Sequence, residues 1–317
     1  MSGDRLVAVT GATGFLGCHL VTALAREGAR VRVLARRAPA VGVWAGPAPQ
    51  IVVGSLEQPS ALDRLVAGAD AVVHAAGLVA ARDRRGFLRI NRDGTQAVAD
   101  AARRGAPGAR FVAVSSLAAR APLLSDYAAS KRAGEGAALS AYADAADRLV
   151  IVRPPAIYGP GDRATLAIFL AASRAVVPVF GSGRAAVVHV GDAAAAIARL
   201  AVGAGEAGCY ALADPNPAGY RLRDLLAEAA RAVGGSPRFV RLPRGVLLAA
   251  GHASAWWGRC RGGTPIFTPG KAREMLHPDW SVSEPELLPE AVYRSRIGIA
   301  EGFRDTVAWY RAAGWLR

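Results

Sequence analysis

Tyr127-Ala-Ala-Ser-Lys131 sets a phenol and an ammonium four residues apart, which on a helix places them on one face, one turn from each other. A phenol with an ordinary pKa of about 10 exchanges protons poorly at neutral pH, and a neighbouring cation stabilises the phenolate and lowers that value. The pair therefore reads as an acid–base unit for a substrate oxygen. The chain has seven tyrosines and only two lysines, Lys131 and Lys271. Chance alone produces this spacing in roughly 4% of chains so composed. Upstream, Ser115 and Ser116 close the run Phe111-Val-Ala-Val-Ser-Ser116. A hydroxyl at the carboxyl end of a strand can donate to a substrate oxygen and hold it near the phenol, although serines there also serve as turn or helix caps.

A second group of residues is suited to phosphate. In Thr10-Gly-Ala-Thr-Gly-Phe-Leu-Gly17, between a candidate strand and a candidate helix, Gly11, Gly14 and Gly17 sit where a tight turn must bring backbone N–H groups against a pyrophosphate, with Gly11, Thr13, Gly14, Phe15 and Leu16 the expected cofactor contacts. The spacing is GxxGxxG, and a glycine turn without a ligand is the plain alternative in a chain with 36 glycines. After the second candidate strand, Val33-Leu-Ala-Arg-Arg37 has arginines where an acidic residue would accept from both ribose hydroxyls. Arg36 and Arg37 can clamp a 2′-phosphate, so NADP(H) is expected in preference to NAD(H). The alternative is that these arginines simply face solvent.

Positioning such groups needs a parallel sheet. Residues 6–10, 31–35, 51–53, 71–74, 110–115 and 149–153 read as strands, and 19–26, 61–66, 94–104 and 127–143 as helices, an alternation that predicts repeated βαβ units. From Pro154 the Pro and Gly density rises and the alternation weakens. Residues 185–190 and 192–202 read as one more strand and helix returning to the main domain. The expected organisation is a dinucleotide-binding domain at 1–158, rejoined by 185–213, interleaved with a smaller substrate-binding region at 159–184 and 214–317.

Length and composition exclude several classes. A chain of 317 residues, 52% hydrophobic, can bury a large core. No apolar run is long enough for a membrane span, and residues 1–9 are too short and too charged for a secretory signal, so a cytoplasmic protein is expected. The cysteines Cys18, Cys209 and Cys260 suggest neither a disulfide framework nor a metal site. The net charge of +14 points to an anionic partner, but the arginines are scattered, so no nucleic acid is expected. Val246-Leu-Leu-Ala-Ala-Gly-His-Ala-Ser-Ala-Trp-Trp257, bordered by Arg241, Arg244, Arg259 and Arg261, has three readings: a peripheral membrane contact, the wall of an apolar pocket, or a core helix.

TGATGFLG at 10–17, VVHAAG at 72–77, NRDGT at 91–95, the serine pair, YxxxK and RPPAIYGPGD at 153–162 occur in order. On these motifs the chain resembles the extended short-chain dehydrogenase/reductases over residues 5–215. The resemblance implies a Rossmann-type α/β fold, a doubly wound parallel sheet with the smaller interleaved carboxyl-terminal region. It implies that Ala75, Ala76 and Gly77 pass beside the cofactor and that Asn91 orders the strand ends. Pro154, Ala156 and Ile157 would lie against the nicotinamide, and Ser116 would be the catalytic serine. Ser115, Tyr127 and Lys131 are also expected at the cofactor. At Gly54-Ser55-Leu56 many relatives carry an Asp that touches adenine, so contacts from Ser55 and Leu56 depart from the usual pattern.

TPGK at 268–271 and LHPDW at 276–280 are similar to the branch of dihydroflavonol reductases and 3β-hydroxysteroid dehydrogenases. That branch implies an NADPH-dependent ketoreductase acting on a hydrophobic carbonyl, with a 3-keto lipid such as 3-ketoceramide as the candidate. One alternative is a nucleotide-sugar 4-epimerase or dehydratase with tightly bound NAD, in which Arg163, Arg184, Arg221 and Arg223 would hold a diphosphate. Another is a non-catalytic NADP-sensing protein, which would have no need of Ser116, Tyr127 and Lys131. Homodimerisation is left open.

Overall fold

The structure, a computed structural model, describes residues 5–40, 42–261, 263–264 and 267–316, with the side chain of Arg259 also outside the description. The first residues of the expected dinucleotide domain and the last of the expected substrate region therefore lie outside the described residues. The chain begins β1 (Leu6–Thr10), α1 (Phe15–Arg26), β2 (Arg30–Ala35), β3 (Gln50–Val53), α2 (Pro59–Val66), β4 (Ala71–His74) and α3 (Arg84–Leu88). A π-helical turn, Arg89–Asp93, leads into α4 (Gly94–Gly105), β5 (Arg110–Val114), a 3-10 turn at Leu117–Arg120, α5 (Asp126–Ala141) and β6 (Leu149–Arg153). There follow β7 (Ala156–Tyr158), α6 (Leu166–Ala172), β8 (Val176–Phe180), β9 (Arg184–Ala185), β10 (Val187–His189), α7 (Val190–Ala201) and β11 (Gly208–Ala211). The chain closes with β12 (Tyr220–Arg221), α8 (Leu222–Val233), β13 (Arg238–Leu242), α9 (Arg244–Cys260), α10 (Pro269–Leu276), β14 (Asp279–Trp280) and α11 (Ile299–Ala312).

Two compact units result. The first runs to Arg153 and adds Ala193–Ala211 and Leu288–Arg294; the second comprises Pro154–Asp192, Leu212–Leu287 and Ser295–Arg317. These limits place residues 154–158, 185–192 and 212–213 in the second unit rather than the first, and give the first a further piece at 288–294.

The first unit is built on a seven-stranded sheet in the order β11-β6-β5-β4-β1-β2-β3, with every pairing parallel. β1 and β4 are buried at every position, as suits strands covered on both faces. Successive crossovers lead away from β1 in opposite directions, so the carboxyl ends of β1 and β4 flank the switch point where such sheets open a crevice. On one side the sheet packs against Leu62 and Leu65 of α2, Val98 and Ala102 of α4 and Ala138 of α5, all around the fully buried Phe111. Small alanines let these helices approach closely, which is how an alanine-rich chain reaches interior packing density.

In the second unit β7 pairs with β10 and β8 with β13, both parallel, while β9 lies between β12 and β14. Its aromatic core sets Phe303 edge-on to Tyr158 and Phe169, with ring centroids 5.0 Å apart in both pairs. The single strand expected at 185–190 is in fact two, β9 and β10, in different sheets.

Candidate active site

α5 starts at a side-chain cap: the Ser125 Oγ accepts the Ala128 N–H at 2.9 Å, putting Tyr127 in the first turn and Lys131 one turn on. Phe87 of α3 packs against the Tyr127 ring, with centroids 6.1 Å apart. The Ser130 hydroxyl donates to the Tyr127 carbonyl at 2.7 Å and accepts from Asn91 Nδ2 at 2.8 Å, locking this face of the helix. Lys131 Nζ donates to the Val114 carbonyl at 2.7 Å, at the end of β5 and two residues before Ser116. Burial lowers the Lys131 pKa to about 8, while the Glu135 carboxylate one turn further pulls it upward.

Ser116 has extended backbone and opens the 3-10 turn, its Oγ accepting the Ala118 N–H at 3.2 Å. The hydroxyl proton is not used by that bond and can be given to another oxygen. Ser116 is thus a cap and a candidate donor at once, and α5 packs directly on its turn.

Ser115 is tied into the interior. Its hydroxyl donates to Glu135 Oε1 at 2.6 Å and its N–H to the Val152 carbonyl at 2.7 Å, so both of its donors are used within the protein and only acceptor oxygens are left for a cofactor. Glu135 is the residue the sequence reading missed. It is 3% exposed and forms a two-pronged ion pair with Arg153 of β6, at 2.7 Å on each prong, with Arg132 at 3.2 Å. Burial opposes its charge, but hydrogen bonds from Arg153 and Ser115 outweigh it and hold the carboxyl below the ordinary range. The available signal was its position four residues beyond Lys131, which extends the Tyr127–Lys131 face by another turn.

The glycine-rich turn fits a dinucleotide phosphate. Gly11 has φ +76°, and a Cβ there would meet the backbone of Ala75 and Ala76 at 2.6–2.8 Å, so the segments after β1 and β4 touch. Gly14 caps α1 without a side chain, and no acidic residue occupies the first turn, so the N–H groups at this helix end are not met by a side-chain cap. Thr13 and Gly14 are exposed at its rim, while Phe15 and Leu16 are half-buried. α1 begins at Phe15, four residues earlier than expected, because the glycine turn leads straight into it.

Gly77 adjoins the polar cluster. A Cβ there would lie 3.2 Å from Asn91 Oδ1 and 3.6 Å from Lys131 Nζ. Asn91 itself is held by Leu78, accepting its N–H at 2.8 Å and donating to its carbonyl at 3.0 Å, so its amide orders the strand end. Beneath these segments His74 is buried and shares a 2.8 Å hydrogen bond with Thr10; burial, aided by the Lys131 charge, drops its pKa to about 3, so it stays neutral. Arg36 and Arg37 are exposed after β2 and bond to no described residue. Ser55 engages Gln58 and Glu57, and Leu56 packs on the core and Gly94. Pro154, Ala156 and Ile157 belong to the second unit, where Ile157 pairs with Val188.

Residues 7–208 match the NAD dependent epimerase/dehydratase family. The chain belongs to that family. It is an NAD(P)-dependent oxidoreductase of the extended short-chain dehydrogenase/reductase type. It is 49% identical to a ceramide reductase of Caulobacter vibrioides over 98% of this chain and 96% of that one. It is 29% identical to a dTDP-glucose 4,6-dehydratase of an Actinoplanes species, over 96% of this chain and 98% of that one. Among solved structures, the UDP-glucose 4-epimerase of Thermus thermophilus in complex with NAD superposes with a TM-score of 0.69 at 23% identity, over 98% and 99% of the two chains. No helix of the described residues is long and apolar enough to cross a membrane.

Proposed function

We propose that the protein is an NADPH-dependent ketoreductase acting on the carbonyl of a hydrophobic substrate, a 3-keto lipid of the 3-ketoceramide kind. The observation that carries this reading is the identity of 49% to a ceramide reductase over nearly the whole of both chains. The Ser116, Tyr127 and Lys131 arrangement supplies matching chemistry.

The dinucleotide, when bound, supplies a hydride for a carbonyl carbon. Tyr127 gives its phenolic proton to the carbonyl oxygen, leaving an alcohol. Ser116 uses its spare proton to hold that oxygen and polarise it. Lys131, fixed to the end of β5, stabilises the phenolate that Tyr127 becomes. Arg153, Glu135 and Ser115 brace α5 against β5 and β6, so they position Lys131 without touching the substrate. Gly11, Thr13, Gly14, Phe15 and Leu16 would hold the pyrophosphate, Ala75 to Gly77 would line the same crevice, and exposed Arg36 and Arg37 would take a 2′-phosphate.

The nucleotide-sugar alternative draws on the dehydratase relative. Two of the four arginines it would use are otherwise occupied, Arg163 over the Trp315 ring at 4.6 Å and Arg223 over Phe239 at 5.8 Å. The deciding experiment incubates the purified protein either with NADPH and detergent-dispersed 3-ketoceramide or with NAD(+) and UDP- and dTDP-sugars. The expected outcome is NADPH oxidation and the lipid alcohol. Turnover of the sugars without net cofactor consumption, and none of the keto lipid, would overturn the reading. Tyr127→Phe should lower keto-lipid reduction at least about a hundredfold while NADPH still binds.

A further inference from the structure

α9 departs from the usual arrangement of a surface helix by being apolar on its outer face as well as its inner one. One face, Leu247, Gly251 and Ala255, is buried, with Leu247 packing against Ala272 and Leu276 of α10. The opposite face is the one expected to carry charge. Instead Val246, Ala249, Ala250, Ala253, Trp256 and Trp257 form an uncharged outward stripe at helical spacing. Trp256 is 60% exposed, Trp257 54% and Val246 46%. Exposed apolar surface of this kind marks an interaction site, and paired tryptophans suit the boundary between hydrocarbon and water.

Charge decides the occupant. Between Glu228 and Glu274 the chain holds eight basic residues and no acidic one, and two of the eight, Arg231 and Lys271, pair with those bounding glutamates. Arg241 and Arg244 stand exposed at one end of α9, and at the other Arg261 lies over the Trp257 ring at 4.4 Å, setting a guanidinium beside the indole. A second copy meeting this face through a two-fold axis would oppose the same positive charges. An anionic bilayer would meet both features, the apolar stripe entering the interface and the arginines its headgroup phosphates. We infer that α9 docks the second unit on the surface of an anionic phospholipid membrane, lying in the interface plane. Its use in loading a membrane-dissolved substrate rests on the proposed lipid reductase activity.

The test floats the full chain, with NADPH bound, on vesicles of phosphatidylcholine alone and on an equal mixture of phosphatidylcholine and phosphatidylglycerol. Expected are binding to the mixed vesicles, binding at least about tenfold weaker to phosphatidylcholine or at high salt, and a loss of at least about tenfold in the Trp256→Gln, Trp257→Gln double variant. The variant should keep the wild-type melting temperature and cofactor affinity, since both rings are exposed. Wild-type protein that stays with the solution, a double variant that binds equally well, or a solution dimer that only the double variant dissociates would each overturn the inference. Tryptophan-dependent vesicle binding without keto-lipid turnover would support the docking and remove the lipid-reductase reading alone.

Discussion

At Lys131 the native state shelters an ammonium whose pKa falls from 10.5 to about 8, so between these values the unfolded chain binds more protons than the folded one. Stability contributed by this residue therefore rises with pH across that window. Denaturant unfolding of the cofactor-free protein should show the wild type gaining on Lys131→Met by on the order of 1–3 kcal/mol between about pH 8 and about pH 10.5. A constant difference would mean that the ammonium is solvated. Arg36 and Arg37 belong to the same scale: replacing both with alanine should weaken NADPH at least about tenfold and leave NADH nearly unchanged, measured by titration of nucleotide fluorescence. Tyr127 and Lys131 were legible in the sequence because a four-residue spacing on a helix fixes a shared face without knowledge of the fold. The Glu135–Arg153 pair joins α5 to β6, and such a contact leaves no local pattern.

Among the elements, the turn after β1 is tightly constrained. Gly11→Ala would need a left-handed backbone with a methyl group pressed on Ala75 and Ala76. It should lower stability by roughly 1–3 kcal/mol and raise the Kd for NADPH, read by thermal melting and fluorescence titration. Strands such as β1 and β4 were legible as short β-branched runs because burial on both faces demands apolar residues throughout. α3 and the π-helical turn after it were not. Their sequence, RRGFLRINRD, is largely charged and sinks only Asn91, so no helical stripe marks it. The second unit escaped for a related reason, since β9, at Arg184–Ala185, is a two-residue strand without a buried position.

Over the whole molecule, the repeated βαβ pattern identified six strands of the first sheet in sequence order. Their spatial order was not visible, because it depends on which crossovers pass which way from β1. The seventh strand, β11, returns to pair with β6 only after the chain has passed through residues 154–207. During synthesis the first unit consequently waits for its own edge. At about 5–20 residues per second, roughly three to ten seconds separate the emergence of β6 from that of its last partner. Throughout that interval β6, Leu-Val-Ile-Val-Arg, presents unpaired backbone to any neighbouring nascent chain. A chain ended at residue 205 should accumulate in the insoluble fraction, and the full chain should depend on early chaperone cover while translation is still under way.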